Sequence, residues 1–440
     1  MSSSSEMPAL SGLQTDYFQL VQSALYHADG MWGDATVDLY LRDLPPSRGY
    51  VVAAGVQEAV DAILALQFTD DDLDWMRSMP MYAGLGSTFF ESLRHFSFTG
   101  TILAVEDGTA VFAREPIVRI TAPLPQVGLF EMLLSQRIGA ASAVATNAKR
   151  LVSAAGGRAI LDFGTRRVTG HELSELAARA AHIGGAVGTT HALAARRLSI
   201  PAVGLISDTM LAAYEDVGVA YDALSSHFPD GCHLNLPTEA PLDGIDRFSH
   251  IQEHVKTVRI DAPDLLSLSR SVRARLDQQG MHHTRILGSG ALDEHRIQSL
   301  VTQQAPIDLF AVGHALTDGI TSGGLDLCYR MSALVRGTTP VPIRGHWSSH
   351  WPSVKQVFRF ADHDVVCGEV EAAEQEERGG TALLHPWVER GRRVREPSSV
   401  REQQRHCARS VAALPRGVSL LRPTAAYSVH ASETLQRMRD

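Results

Sequence analysis

A chain of 440 residues, 44% hydrophobic and 20% charged, is long enough for two cores and ordinary enough in composition to bury them. Its 40 basic and 49 acidic residues leave a net charge of -9, which excludes a nucleic-acid partner held by a basic face. No run reaches the roughly 18 apolar residues a membrane span needs. Cys232, Cys328, Cys367 and Cys407 contain no Cys-x-x-Cys pair and read as reduced thiols in a cytoplasmic protein.

Residues 1–13 are serine-rich, lack the basic and apolar regions of a signal peptide, and are expected to form a disordered leader. Helical spacing of apolar residues predicts a helix over 57–66, and 96–119 alternates like strands joined at Glu106-Asp107-Gly108. The alanine-rich stretch 128–155 predicts a long helix suited to packing between two domains.

Short β-branched runs then recur at 158–163, 201–206, 232–236, 257–260, 284–287 and 307–312, with helical segments between them. That alternation predicts a parallel sheet, closed as a barrel or open and doubly wound. Each run ends in polar or glycine residues, and in such folds chemistry gathers at the carboxyl ends of strands. Beyond residue 341 the pattern is strand-like to Arg359, followed by a charged loop over 369–378 and a polar helix over 401–414. His346 and His350 lie four apart, but Pro352 and the absence of helical patterning make that segment a loop rather than a metal site.

Several segments together resemble the nicotinate phosphoribosyltransferase family. Thr15-Asp16-Tyr17-Phe18-Gln19-Leu20 looks like its Thr-Asp-x-Tyr-x-Leu opening, and Arg42-Asp43-Leu44-Pro45-Pro46-Ser47-Arg48 like its early loop. Asp162-Phe163-Gly164-Thr165-Arg166-Arg167 looks like its arginine-bearing strand tip. Gly184-Gly185-Ala186-Val187-Gly188-Thr189 and Lys355-Gln356-Val357-Phe358-Arg359 follow in order. The resemblance implies an α/β fold of type II phosphoribosyltransferase kind. That means an irregular α/β barrel, expected over 126–340, and an α/β sandwich domain from both chain ends, 14–125 and 341–440, in a homodimer. It also implies that nicotinate is joined to phosphoribosyl pyrophosphate with magnesium, assisted by ATP through a phosphorylated histidine.

The departures from that pattern fall at the strand tips. The family's Gly-x-x-x-His-Ser reads Gly204-Leu205-Ile206-Ser207-Asp208-Thr209, so the phosphohistidine coupling to ATP is expected to be lost. The Asp-Thr-Tyr-Asp tip reads Pro237-Thr238-Glu239-Ala240. The Arg-x-Asp-Ser-Gly-Asp tip keeps Arg259, Asp261 and Asp264 around Ala262-Pro263, where proline removes a backbone donor. The last two tips read Ser289-Gly290-Ala291-Leu292 and Ala311-Val312-Gly313-His314.

Asp208, Glu239 and His314 are therefore the candidate catalytic groups. Arg166 and Arg167 are candidates for bidentate capture of carboxylate or phosphate, Phe18 for stacking on a flat ring, and His191 for phosphate contact. Thr189, Arg259, Ser289, Gly290 and Gly313 complete the expected substrate site, and Asp261 and Asp264 are expected to hold magnesium or ribose hydroxyls. The leading expectation is a pentosyltransferase acting at the N-glycosidic bond of a pyridine-type nucleotide. The alternatives are a repurposed enzyme of specialised metabolism using Asp208, Glu239 or His314 on a related nucleotide or heteroaromatic acid, and a catalytically silent binding or regulatory subunit.

Overall fold

The computed structural model describes residues 10–204, 206–214, 216–229, 232–318, 324–337, 339–343 and 350–439. The chain forms two compact units, Met1–Ala143 with Gly323–Asp440, and Val144–Ser322.

In the first unit, strands from both ends of the chain share one antiparallel sheet. Its order is Thr339–Pro342, Leu327–Arg336, Asp34–Leu41, Pro116–Pro123, Thr101–Ala104, His385–Glu389 and Arg392–Arg393. Asp34–Leu41 is buried along nearly its whole length, as a strand covered on both faces must be. Its apolar residues join Leu20 and Ala24 of helix Tyr17–Ala28 and Val56, Val60 and Ile63 of helix Val56–Leu64 in one cluster. Asp38 is buried in this strand, and its charge is met by Lys355, whose Nζ donates to Asp38 Oδ2 at 2.6 Å and to the Ser353 carbonyl at 2.8 Å. Lys355 opens one strand of a second sheet, ordered Thr381–Ala382, Lys355–Arg359, His363–Gly368 and Ser428–Ala431.

In the second unit, six parallel strands run in the order Cys232–Asn235, Val255–Asp261, Arg285–Ser289, Leu309–Val312, Ala159–Asp162 and Gly188–Thr189. Among the described residues the two edge strands do not pair with each other, so the sheet there is a half-barrel. The register sets Asn235 opposite Arg259, Asp261 opposite Ser289, Val312 opposite Asp162, and Asp162 opposite Thr189. Polar strand-end residues from distant parts of the sequence thus share one edge. Gly184 lets helix His171–Ile183 close on the long helix Glu131–Ala154, because a Cβ there would stand 2.4 Å from the Ala145 carbonyl.

Several expectations are corrected. Leu10–Ser11, placed in the leader, is a strand paired with Leu66–Gln67. Leu327–Arg336 and the first two residues of Thr339–Pro342, placed in the barrel, belong to the antiparallel sheet of the first unit, where Leu327–Arg336 pairs with Asp34–Leu41. The dividing lines of the two units accordingly fall at 143/144, inside the helix Glu131–Ala154, and at 322/323, not at 125/126 and 340/341. The run 201–206 makes one isolated bridge, Ala202 to Thr189, where a strand was expected. The charged stretch 369–378 is not a loop but a 3-10 turn, Glu369–Glu371, and a helix, Ala372–Glu377. Its alanine and glutamate residues favour helix, and Gln375 is buried. His346 lies outside the described residues.

Candidate active site at the carboxyl edge of the parallel sheet

Two polar networks occupy this edge. The first is built on Asp162, the buried last residue of its strand. Its Oδ1 accepts from the Gly164 amide at 2.8 Å and its Oδ2 from the Thr189 hydroxyl at 2.6 Å. Burial pushes the Asp162 carboxyl above its ordinary range, and these two donors oppose that shift. Asp162 therefore fixes the backbone that leads into the 3-10 turn Thr165–Arg167. Both Arg166 and Arg167 are exposed on this turn, and among the described residues neither side chain has an acidic partner. A Cβ on Gly164 would stand 2.8 Å from Thr317 Cγ2 and 2.9 Å from the Gly313 carbonyl, and one on Gly313 would stand 3.3 Å from Arg167 Nε. The two tips are in contact, and Arg167 runs over Gly313. His314 begins the adjoining short helix His314–Thr317 and is exposed.

His191 is placed differently from expectation. Its Nδ1 accepts from the Ala194 amide at 3.2 Å, capping helix Ala192–Leu198, and its Nε2 lies 3.1 Å from Ser174 Oγ. The Ser174 hydroxyl donates to the His171 carbonyl at 2.8 Å. That network assigns the proton to Nε2 and commits both ring nitrogens within the protein, so His191 is a helix cap rather than a free phosphate ligand. Thr189 is likewise committed, to Asp162.

The second network centres on Arg259. Its Nε donates to Ser289 Oγ at 2.8 Å, Nη1 to Asn235 Oδ1 at 2.9 Å, and Nη2 to Asp261 Oδ2 at 2.5 Å. Gly290 adopts a φ of 98°, and a Cβ there would stand 2.3 Å from Asp261 Oδ1, so only glycine fits. Asp264 caps helix Leu265–Gln278 by accepting from the Ser267 amide at 3.0 Å, which holds its carboxyl below the ordinary range.

These commitments do not fit magnesium at Asp261 and Asp264. Asp261 carries the Arg259 cation on the same carboxylate, and a divalent ion entering there meets like charge. Asp264 serves its helix. Among the described residues no group of three or more His, Cys, Asp or Glu side chains gathers as a metal site.

The remaining candidates are dispersed. Glu239 is exposed in a bend after Cys232–Asn235. Asp208 begins helix Asp208–Ala212, and its side chain lies outside the described residues. Phe18 is 57% exposed on helix Tyr17–Ala28 and is not a core residue. Sequence reasoning missed Asn235 as a partner of Arg259, and Arg296. The signal for Asn235 was its place as the polar end of an apolar strand run.

Comparison with known proteins agrees with this architecture. Residues 13–138 match the nicotinate phosphoribosyltransferase N-terminal domain, and residues 144–322 match the quinolinate phosphoribosyl transferase C-terminal domain. Nicotinate phosphoribosyltransferase pncB2 of Mycobacterium tuberculosis is 33% identical over 434 residues, spanning 96% of this chain and 92% of that protein. The chain belongs to the nicotinate phosphoribosyltransferase family. The Bacillus subtilis nicotinate phosphoribosyltransferase is 31% identical over 329 residues, 73% of this chain and 66% of that protein. In fold, human nicotinic acid phosphoribosyltransferase superposes with a TM-score of 0.83 at 21% identity, covering 96% of this chain and 98% of that one. Nicotinate-nucleotide pyrophosphorylase from Pyrococcus furiosus superposes at 0.74 and 22% identity, covering 91% and 95%. The expected α/β class of type II phosphoribosyltransferase kind holds, with the barrel open. Neither the repurposed enzyme nor the silent subunit gains support from these relatives.

Proposed function

We propose that this nicotinate phosphoribosyltransferase family member transfers a phosphoribosyl group between pyrophosphate and the ring nitrogen of a nicotinate-type acid, without coupling to ATP. The observation that carries the reading is the pair Arg166 and Arg167, two exposed guanidiniums at a strand tip that have no acidic partner among the described residues, with Arg167 lying over Gly313. Planar, solvent-facing cations in that position suit bidentate capture of a carboxylate or phosphate.

In the reaction the pyridine nitrogen lone pair forms the bond to ribose C1 while the C1–oxygen bond to pyrophosphate breaks. No proton has to move, so orientation and charge neutralisation supply the catalysis. The anionic charge is met by Arg166 and Arg167, since Asp261 and Asp264 are committed elsewhere. Asp208 stands where the family pattern has histidine and offers no ring nitrogen to phosphorylate, so the transfer runs without a phosphohistidine. The proposal extends to a cytoplasmic homodimer.

Steady-state kinetics with nicotinate and phosphoribosyl pyrophosphate tests it. Arg166→Ala and Arg167→Ala are each expected to lower kcat/KM about tenfold to a hundredfold, from one lost charged contact. Wild-type protein that makes no nicotinate mononucleotide overturns the reading, and unchanged kinetics in both variants overturns the arginine assignment.

A further inference from the structure

We propose that Arg296 is a positioning residue whose guanidinium ties together the two strand tips bearing Asp261 and Gly290, and so sets their spacing for a bound mononucleotide. Arg296 lies in the first turn of helix Glu294–Thr302, where its amide donates to the capping Asp293 at 2.7 Å. Its Nη2 donates to the Ala262 and Pro263 carbonyls at 3.0 and 2.6 Å. Its Nη1 donates to the Gly290 carbonyl at 2.9 Å and more weakly to that of Ala291 at 3.4 Å. One planar fork thus holds carbonyls from two tips that follow neighbouring parallel strands.

The need for such a clamp follows from the tip's own chemistry. Ala262 has no hydroxyl and Pro263 no N–H, so neither can bond across to the neighbouring tip as a donor through those groups. Arg296 supplies the missing donors from outside. The tips it joins are already in contact at Gly290 and Asp261, where the space for even a Cβ is absent. Asp261 in turn takes Arg259, which reaches Ser289 and Asn235. Displacing either tip therefore moves the whole second network. A lysine offers a single ammonium in place of the fork and cannot span both pairs of carbonyls in the same geometry.

The binding half of this inference rests on the proposed mononucleotide chemistry, and the clamp itself does not. Hydrogen exchange on the ligand-free full chain reads the clamp. In Arg296→Ala and Arg296→Lys, the amides of 261, 262, 264 and 289–292 are expected to exchange about tenfold faster than in wild type, while the strands behind them keep their protection. Millimolar guanidinium should restore slow exchange in Arg296→Ala, whereas methylammonium should not. Calorimetry with nicotinate mononucleotide reads the consequence, a binding constant about tenfold weaker in Arg296→Ala and recovered by guanidinium. Wild-type exchange at both tips, or a loss of protection spread evenly over the sheet, overturns the clamp. Unchanged mononucleotide affinity in Arg296→Ala, beside tight binding by wild type, overturns its positioning role. If wild type binds no mononucleotide, the proposed function fails while the exchange result still decides the clamp.

Discussion

Asp261 and Asp264 sit three residues apart and share one strand tip, yet their surroundings give them different tasks. Asp261 is paired with Arg259, and Asp264 caps a helix. Asp264→Ala should lower the melting temperature by a few degrees, since a lost cap costs about 1 kcal/mol. Asp264→Asn should keep the cap and leave mononucleotide affinity within about twofold of wild type, read by calorimetry. Because neither carboxylate is free for a divalent ion, chelation by EDTA should leave that affinity unchanged; a large loss would return these residues to a metal role. The spacing of the two aspartates was visible in the sequence, but spacing alone does not separate a ligand from a cap. Leu265 and the apolar periodicity behind it were the clue that a helix starts there. Arg296 was illegible for a related reason, because its partners are backbone carbonyls, which no side-chain pattern encodes.

Among the elements, the long periodic segment and most of the short apolar runs have the expected type, while elements without a pattern of their own do not show in the sequence. The alanine-rich run became the helix Glu131–Ala154, and five of the six apolar runs became strands of one sheet. Gly188–Thr189 was missed because two residues carry no periodicity, and 201–206 was overread because its apolar run makes only a bridge. Elements also set buried charge sites in the first unit. Lys355, at the start of its strand, neutralises Asp38 across to another sheet. Lys355→Met should destabilise the fold by about 3–5 kcal/mol by leaving a buried carboxylate unpaired, and adding Asp38→Leu should recover most of the loss in denaturant unfolding. Glu115 is buried beside Asp364, which already takes both prongs of Arg359 and the Tyr427 hydroxyl. Burial first, and the Asp364 charge second, raise the Glu115 carboxyl well above its ordinary range. A carboxyl raised in the folded state contributes stability below the unfolded range and loses it as pH rises toward the folded value. Glu115→Gln should therefore melt a few degrees higher than wild type at about pH 8, with the gap closing toward about pH 4.

At the scale of the whole chain, the class of fold was legible and its wiring only in part. Strand–helix alternation announced the parallel sheet, and the motif order pointed to a sandwich domain built from both ends. The pairing of Leu327–Arg336 with Asp34–Leu41 was not legible, since it joins strands almost three hundred residues apart with no local signature. The fold brings residues from 162 to 314 onto one edge, where among the described residues Arg166 and Arg167 have no acidic partner while Asp261 and Asp264 are engaged. In the proposed reading the two arginines hold the anionic substrate, and Asp208, in place of the family's histidine, removes the coupling to ATP. Mass spectrometry of the purified chain with nicotinate and phosphoribosyl pyrophosphate, with and without ATP, tests this most directly. The account predicts nicotinate mononucleotide at the same rate in both mixtures and no ADP above background. Mononucleotide that forms only with ATP, with ADP released in step, would contradict it.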